Sequence, residues 1–143
     1  MILSKSCQYS VRALLYIVVN SQKNVNTDIT EIAEELNIPK PYLAKIMQQL
    51  AKRGLVRSTK GPKGGFNLSA KEKKLTLLNV IEAVDGLEYF SRCGLGLELC
   101  NNKKPCPIHI QSVRSRDSMK ETCRNFNIVK NGLKVSKGEF VIS

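Results

Sequence analysis

Acidic residues are scarce in this chain. Twelve Asp and Glu face 23 Lys and Arg over 143 residues, a formal charge of +11. That imbalance points to an anionic partner, of which nucleic acid is the commonest. Histidine is scarcer still, with His109 the only one. With one imidazole and no nucleophile–base grouping, hydrolytic or transfer chemistry has nothing to run on, so neither an enzyme nor a small-molecule substrate is expected. Long apolar runs are missing too. No segment approaches the roughly 20 residues a membrane helix needs, and no membrane partner is expected. The N-terminal apolar stretch is interrupted by Gln8, Tyr9, Ser10 and Arg12, with no small-residue cleavage site after it, unlike a signal peptide. The expected location is therefore cytoplasmic, where thiols stay reduced. Five cysteines, an odd number, then argue for metal or redox chemistry over a disulfide framework. There is no internal repeat and no low-complexity tract.

What is present is enough apolar content, 42%, for a core in one domain of common size, or a small domain with an appended element. From Ser4 to about Asn20, Cys7, Val11, Leu14, Leu15 and Val18 fall at helical spacing. "DITEIAEELNI" reads as a short helix opened by Asp28 and Glu31 as a capping box, burying Ile29, Ile32, Ala33 and Leu36. A third helix begins near Pro39 or Pro41, turns Leu43, Ile46, Met47 and Leu50 inward, and stops at Gly54. The period then changes: "LVRST" and "GFNLS" read as strands joined by a "KGPKG" tip. "TLLNVIEAVDG" is a fourth helix ending at Gly86, and a polar fifth runs from Pro107 to about Thr122. The tail after it has no clear period.

Short helix, tight turn, second helix and basic hairpin together describe a winged helix-turn-helix in a mostly α fold. The second helix presents its outer residues to base edges: Lys40, Pro41, Tyr42, Ala44, Lys45, Gln48 and Gln49. Lysine addresses guanine or phosphate, glutamine pairs with adenine, and tyrosine donates to phosphate or packs on a thymine methyl. The hairpin offers Arg57, Lys60 and Lys63 to the minor groove. Gly61, Gly64 and Gly65 let its backbone approach a phosphate strand, and Pro62 stiffens the tip.

A second constellation lies downstream, in "CGLGLELCNNKKPCPIH". Cys93, Cys100 and Cys106 have the spacing C-x6-C-x5-C, and His109 follows three residues later. Three thiolates and an imidazole suit an iron–sulfur cluster. Zinc is the rival, although close C-x2–4-C pairs are missing. A thiol switch at Cys106 or Cys100, activated by Lys103 and Lys104, is a third reading. Cys7 and Cys123 read as buried helix-face residues.

At this point the stretch "ITEIAEELNIPKPYLAKIMQQLAKRGLVRSTKGPKGGFNLS", followed by "LTLLNVIEAVDG" and preceded by "SKSCQYSVRALLYI", resembles the Rrf2 family of winged-helix repressors that includes IscR and NsrR. The likeness covers roughly residues 1–110, and the joint presence of the wing and "VIEAVDG" makes it specific. It implies a homodimer on pseudo-palindromic duplex operators, with a reading helix at Pro41–Gln49 and a wing at Thr59–Phe66. IscR-type members carry a glutamate early in the reading helix; Ala44 stands there, so their operator sequence does not transfer. The family's cluster-binding branch has three cysteines in this place, usually as C-x5-C-x5-C, one residue shorter than here. The histidine after the third is similar to IscR and implies a 2Fe-2S cluster on Cys93, Cys100, Cys106 and His109. NsrR-type members instead hold 4Fe-4S with an acidic residue from the partner's first helix, where this chain has Cys7-Gln8.

The sequence thus predicts a DNA-binding domain over 1–86, a cysteine-rich loop over 87–109, and a dimerisation helix with a tail over 110–143. The expected function is a transcriptional repressor whose operator affinity follows an iron–sulfur cluster that senses cluster status, nitric oxide or redox stress. A cluster-free regulator using zinc or a thiol switch, or a small basic iron–sulfur carrier, are the alternatives.

Overall fold

The first helix, α1 (Lys5–Ser21), is the hub. Ser4 caps it by accepting the Cys7 N–H, and the helix buries Cys7, Ala13, Leu14, Leu15, Ile17 and Val18. Fully burying a side chain such as Leu14 or Ile17 contributes about 1.5–3 kcal/mol. Helices α2 (Ile29–Leu36), α3 (Lys40–Lys52), α4 (Leu77–Val84) and α6 (Ile128–Ser136) all pack on α1, and α5 (His109–Asn125) packs on α4. A hairpin of β1 (Arg57–Thr59) and β2 (Gly65–Asn67) and a 3-10 turn at Glu88–Phe90 complete the elements. The structure is a computed structural model and describes residues 3–23, 25–68 and 73–143. Among the described residues no helix is long and apolar enough to cross a membrane.

Local chemistry explains most boundaries. Asp28 caps α2 by accepting the Thr30 N–H at 2.7 Å, which holds its carboxyl below the usual range. Its expected capping-box partner does something else: Glu31 accepts hydrogen bonds from Tyr16 at 2.8 Å and Asn20 at 2.6 Å, tying α2 to α1. Burial, then the Glu31 carboxylate, pushes the Tyr16 phenol up to about 12. The turn after α2 runs through Asn37 in the left-handed region, φ 51°. α3 opens with Pro41 in its first turn and is stopped by Gly54 at φ 77°.

The strands are shorter than the sequence predicts. Leu55 and Val56 are drawn into the core rather than the ladder, with Val56 buried, and Ser69 lies outside the described residues. Thr27 extends the hairpin instead: its N–H donates to Phe66 O at 2.9 Å and its carbonyl accepts from Phe66 N–H at 2.8 Å. Gly65 makes this possible, because at φ 136° an added Cβ would sit 2.5 Å from Thr27 O. α5 starts at His109 and ends at Asn125, two to three residues later than the pattern predicts, and among its residues only Cys123 is buried.

The tail, without a period in the sequence, forms α6. Asn127 caps it by accepting the Lys130 N–H, Ile128 N–H donates to Leu75 O, and Leu77 N–H donates to Phe126 O. Gly132 in α6 comes so near α1 that an added Cβ would lie 2.5 Å from Val18 Cγ1. Arg12 closes the same side, donating to Leu36 O at 2.7 Å and to Ile142 O at 2.8 Å.

Gly132→Ala should therefore destabilise the protein by about 1–3 kcal/mol, the usual cost of overpacking a filled site. Val18→Ala in the same chain should recover part of that loss. Urea unfolding of the three variants checks it; additive losses would show that the helices do not meet at these two residues.

Candidate nucleic-acid interface and cysteine centre

α3 lies with its apolar face buried and its polar face out. Lys40, Pro41, Lys45, Gln48 and Gln49 are exposed, Tyr42 is 40% exposed, and Ala44 is half-buried. The wing follows directly, with Arg57, Lys60, Gly61, Pro62 and Lys63 exposed and Gly64 half-buried beneath them. From Asn37 to Ala70 the chain has Lys40, Lys45, Lys52, Arg53, Arg57, Lys60 and Lys63 but no Asp or Glu. One acidic group stands close by, since Lys40 contributes to the depressed Asp28 carboxyl. The wing tip is fixed from below: Asn26 Nδ2 donates to Lys63 O at 3.0 Å, and an added Cβ on Gly64 would meet Thr59 O at 2.3 Å.

Two of the residues expected at base edges are committed elsewhere. The Tyr42 hydroxyl shares a 2.6 Å hydrogen bond with Ser6 Oγ, and its ring packs edge-on against Tyr9. Gln49 turns inward and donates from Nε2 to Ala83 O at 2.8 Å, at the last turn of α4. Two turns from the N-terminus of α3, Gln49 remains exposed while its amide is spent on the neighbouring helix. Periodicity could not separate these directions, because Gln49 sits at the edge of the apolar stripe.

Downstream, three thiols come together. The Sγ atoms of Cys93, Cys100 and Cys106 all lie within 4.8 Å of one another, with Cys93 and Cys106 3.6 Å apart. Backbone amides point at two of them: Leu95 N–H at Cys93, 3.4 Å, and Cys106 N–H at Cys100, 3.3 Å. The amides of Leu97 and Leu95 lower the Cys93 thiol to about 7. The Cys106 amide pulls Cys100 the same way, but desolvation and the neighbouring sulfurs outweigh it, and the net shift is upward. Gly96, at φ 70°, turns the loop around the group. The His109 ring meets the group at Cys100, with Nδ1 3.2 Å from its sulfur, and stands outside the set in which every donor is near every other. Three convergent half-buried thiols with N–H groups aimed at sulfur are a donor set that fits an iron–sulfur cluster.

Cys7 and Cys123 are fully buried, away from that group. Burial, with Asp85 and Cys123 nearby, pushes the Cys7 thiol up to about 12, and burial raises Cys123 as well. Neither faces solvent. Sequence reasoning missed three polar groups around the centre. Ser4 Oγ donates to Asp85 Oδ1 at 2.6 Å, joining the start of α1 to the end of α4. Asn102 Oδ1 lies 2.9 Å from His109 Nε2. Arg116 buries its Nε and Nη1 with no hydrogen-bond partner among the described residues, and lines one pocket with Asp85, Glu88, Arg92 and Cys93. Asn102 had no signal beyond its place between two cysteines, and Arg116 had none.

Against known proteins, residues 3–130 match the Rrf2 family, described as iron-dependent transcriptional regulators. A provisionally assigned HTH-type transcriptional regulator of Aquifex aeolicus (strain VF5) is 38% identical over 111 residues, 76% of each chain. The HTH-type transcriptional regulator IscR of Vibrio atlanticus (strain LGP32) is 33% identical over 107 residues, 75% of this chain and 61% of that one. Among solved structures, CymR, the global cysteine regulator of Bacillus subtilis, shares the fold with a TM-score of 0.76 at 20% identity, covering 93% of this chain and 97% of the other.

The thiol environments predict sharply unequal reactivity. In iron-free, reduced protein, alkylation of Cys93 by iodoacetamide should rise with pH through a midpoint near 7, because the thiolate is the nucleophile. Cys7 and Cys123 should stay unmodified until the protein is unfolded. Peptide mass mapping across a pH series reads both; a Cys93 midpoint at the ordinary value near 9 would contradict the N–H···S geometry.

Proposed function

Since the chain belongs to the Rrf2 family of iron-dependent transcriptional regulators, we propose that it represses by binding a duplex operator as a homodimer, with affinity set by an iron–sulfur cluster on Cys93, Cys100, Cys106 and His109. The observation that carries this reading is the convergence of the three thiols within 4.8 Å, a few residues downstream of the helix that braces the reading helix. Lys40, Pro41, Tyr42, Ala44, Lys45 and Gln48 form the reading helix face, with Gln49 at its edge turned to α4, and Arg57, Lys60, Gly61, Pro62, Lys63 and Gly64 form the wing. Two copies place two such faces against half-sites about 34 Å apart, one turn of DNA. Three thiolates and one imidazole favour 2Fe-2S, and 4Fe-4S is the other stoichiometry that spectra would distinguish.

The mechanism we infer runs through the end of α4. Gln49 ties the reading helix to Ala83, and Ser4 ties α1 to Asp85. Two residues beyond Gly86 the 3-10 turn begins, and it leads straight to Cys93. The loop then returns through Cys106 to His109 at the head of α5, which itself packs on α4. Cys93, Cys100, Cys106 and His109 would hold the cluster, which would supply a centre sensitive to oxidants and nitric oxide. With these residues held, the α4–α5 angle would be kept; with them released, the end of α4 and, through Gln49, the tilt of α3 would be freer. Exposed Tyr89, Ile108 and Ile110 around the same helix ends supply apolar surface for the second copy. The functional division is thus 1–86 for DNA, 87–109 for the cluster and 110–143 for pairing, with α6 returning to α1. The working location is the reducing cytoplasm, where such thiols remain available.

A second reading rests on one distance. At 3.6 Å, Cys93 and Cys106 need only a small movement to join as a disulfide when iron is absent and an oxidant such as a peroxide takes up the two electrons and two protons, which would make the loop a thiol switch.

Anaerobically reconstituted protein should be coloured and contain iron, and a triple Cys→Ser change at 93, 100 and 106 should lose both and lose any cluster-dependent difference in operator affinity. Iron-free wild-type protein after reconstitution would end the cluster reading. Lys60→Ala with Lys63→Ala should weaken binding to all duplexes and flatten the dependence of log K on log salt by about 0.9 for each phosphate no longer neutralised. Gln49→Ala should narrow the affinity gap between iron-loaded and iron-free protein by about 2–30-fold, equivalent to 0.5–2 kcal/mol of coupling. Fluorescence anisotropy on a labelled operator reads both, and an unchanged gap would remove Gln49 from the path.

A further inference from the structure

His109 is held from both sides. Its Nδ1 faces Cys100 Sγ at 3.2 Å, and its Nε2 faces Asn102 Oδ1 at 2.9 Å. Its backbone is fixed as the first residue of α5, with the N–H donating to Cys106 O at 3.0 Å. We propose that Asn102 is the positioning residue that sets the tautomer of His109, keeping the proton on Nε2 so that Nδ1 offers its lone pair to the three-sulfur centre. This inference rests on the reading of that centre as an iron–sulfur site.

Donors and acceptors on the two sides of the ring decide the tautomer. A carbonyl oxygen only accepts, so the ring nitrogen opposite Asn102 Oδ1 carries the hydrogen. A neutral imidazole has one N–H, and placing it on Nε2 leaves Nδ1 bare toward Cys100. Were the Asn102 amide turned over, its NH2 would donate to Nε2. The ring proton would then sit on Nδ1, which could donate to a thiolate but could not bind iron. Asn102 therefore decides between a ligand and a blocked ring.

The loop around Asn102 is built to hold it. Asn101 Oδ1 accepts the N–H groups of Lys103 at 2.8 Å and Lys104 at 3.0 Å, its Nδ2 donates to Leu99 O at 3.1 Å, and its own N–H donates to Lys104 O at 3.2 Å. Asn101 thus closes the turn, which leaves the adjacent Asn102 side chain to reach the ring. Metal-bound histidines generally donate their second N–H to such a partner, and losing it typically costs about 10–100-fold in metal affinity. Asn102 supplies that partner as a neutral acceptor. An aspartate in its place would keep the hydrogen bond.

Because His109 is the only histidine, labelling histidine with 15N in the ring reports one residue. In iron-free, reduced protein at a pH where the ring is neutral, long-range 1H–15N correlation should show the hydrogen on Nε2. Asn102→Ala should give a mixture of the two tautomers, and Asn102→Asp should restore Nε2–H. Wild-type protein with its hydrogen on Nδ1, or an Asn102→Ala spectrum identical to wild type, would overturn the proposal. In reconstituted, reduced protein, pulsed EPR with 15N placed only at Nδ1 should show a strong nitrogen coupling, and a coupling from Nε2 or none at all would overturn the ligand half. Loss of the cluster to a chelator should be about 10–100-fold faster in Asn102→Ala and close to wild type in Asn102→Asp; equal rates in all three would count against the role. If no cluster forms in wild-type protein, the reading of the centre fails while the iron-free spectra still test the tautomer.

Discussion

The burial of α1 is the constraint on which the rest of the structure depends. Its apolar stripe is wide enough to serve α2, α3, α4 and α6, so the helix-and-wing half and the helix that leads to the cysteine loop are built on one rod. Polar residues on the same helix fix the angles at which its neighbours meet it. Ser4 reaches α4, Arg12 reaches the end of α2, and Tyr16 and Asn20 clamp Glu31. An α1 that served only as filler would need none of these.

The end of α4 is the second point where functions converge. A capping box of Thr76 and Asn79 starts this helix and a left-handed Gly86 stops it, so its length is set by local chemistry. That stop places Ala83 O within reach of Gln49 and Asp85 within reach of Ser4, and it sends the chain toward Cys93. α3 and the cysteine loop both connect to this turn, and under the proposed function that connection would let the helix-and-wing half follow the state of the three thiols. The half-buried Arg116 lies in the same region, and its buried Nε and Nη1, without a hydrogen-bond partner among the described residues, carry a desolvation cost.

Much of this was legible in the residues. The helices of the DNA-binding half follow from apolar spacing and from Pro and Gly at their ends, and the gathered thiols follow from three cysteines in a glycine-spaced loop. Glu31 shows where legibility stops. Its spacing from Asp28 has the form of a capping box, yet hydrogen-bond donors from α1 compete for its carboxylate and win. Gln49 is similar, since a helix edge can face solvent or a neighbour with equal right. The tail was opaque because its key contact is a glycine, and the absence of a side chain carries no periodic signal.

Sequence alone determined the first five helices and the existence of the hairpin, the charge of the helix-and-wing surface and the number of thiols in the loop, because each depends on neighbours within a few residues. Only the tertiary structure decided how those pieces serve one another. It brought the three sulfurs within 4.8 Å, turned Gln49 onto α4, laid α6 across Val18 and set Asn102 against the far side of His109. These are contacts across loops and between helices. Their geometry is fixed by how the elements pack around α1, and no local pattern encodes that.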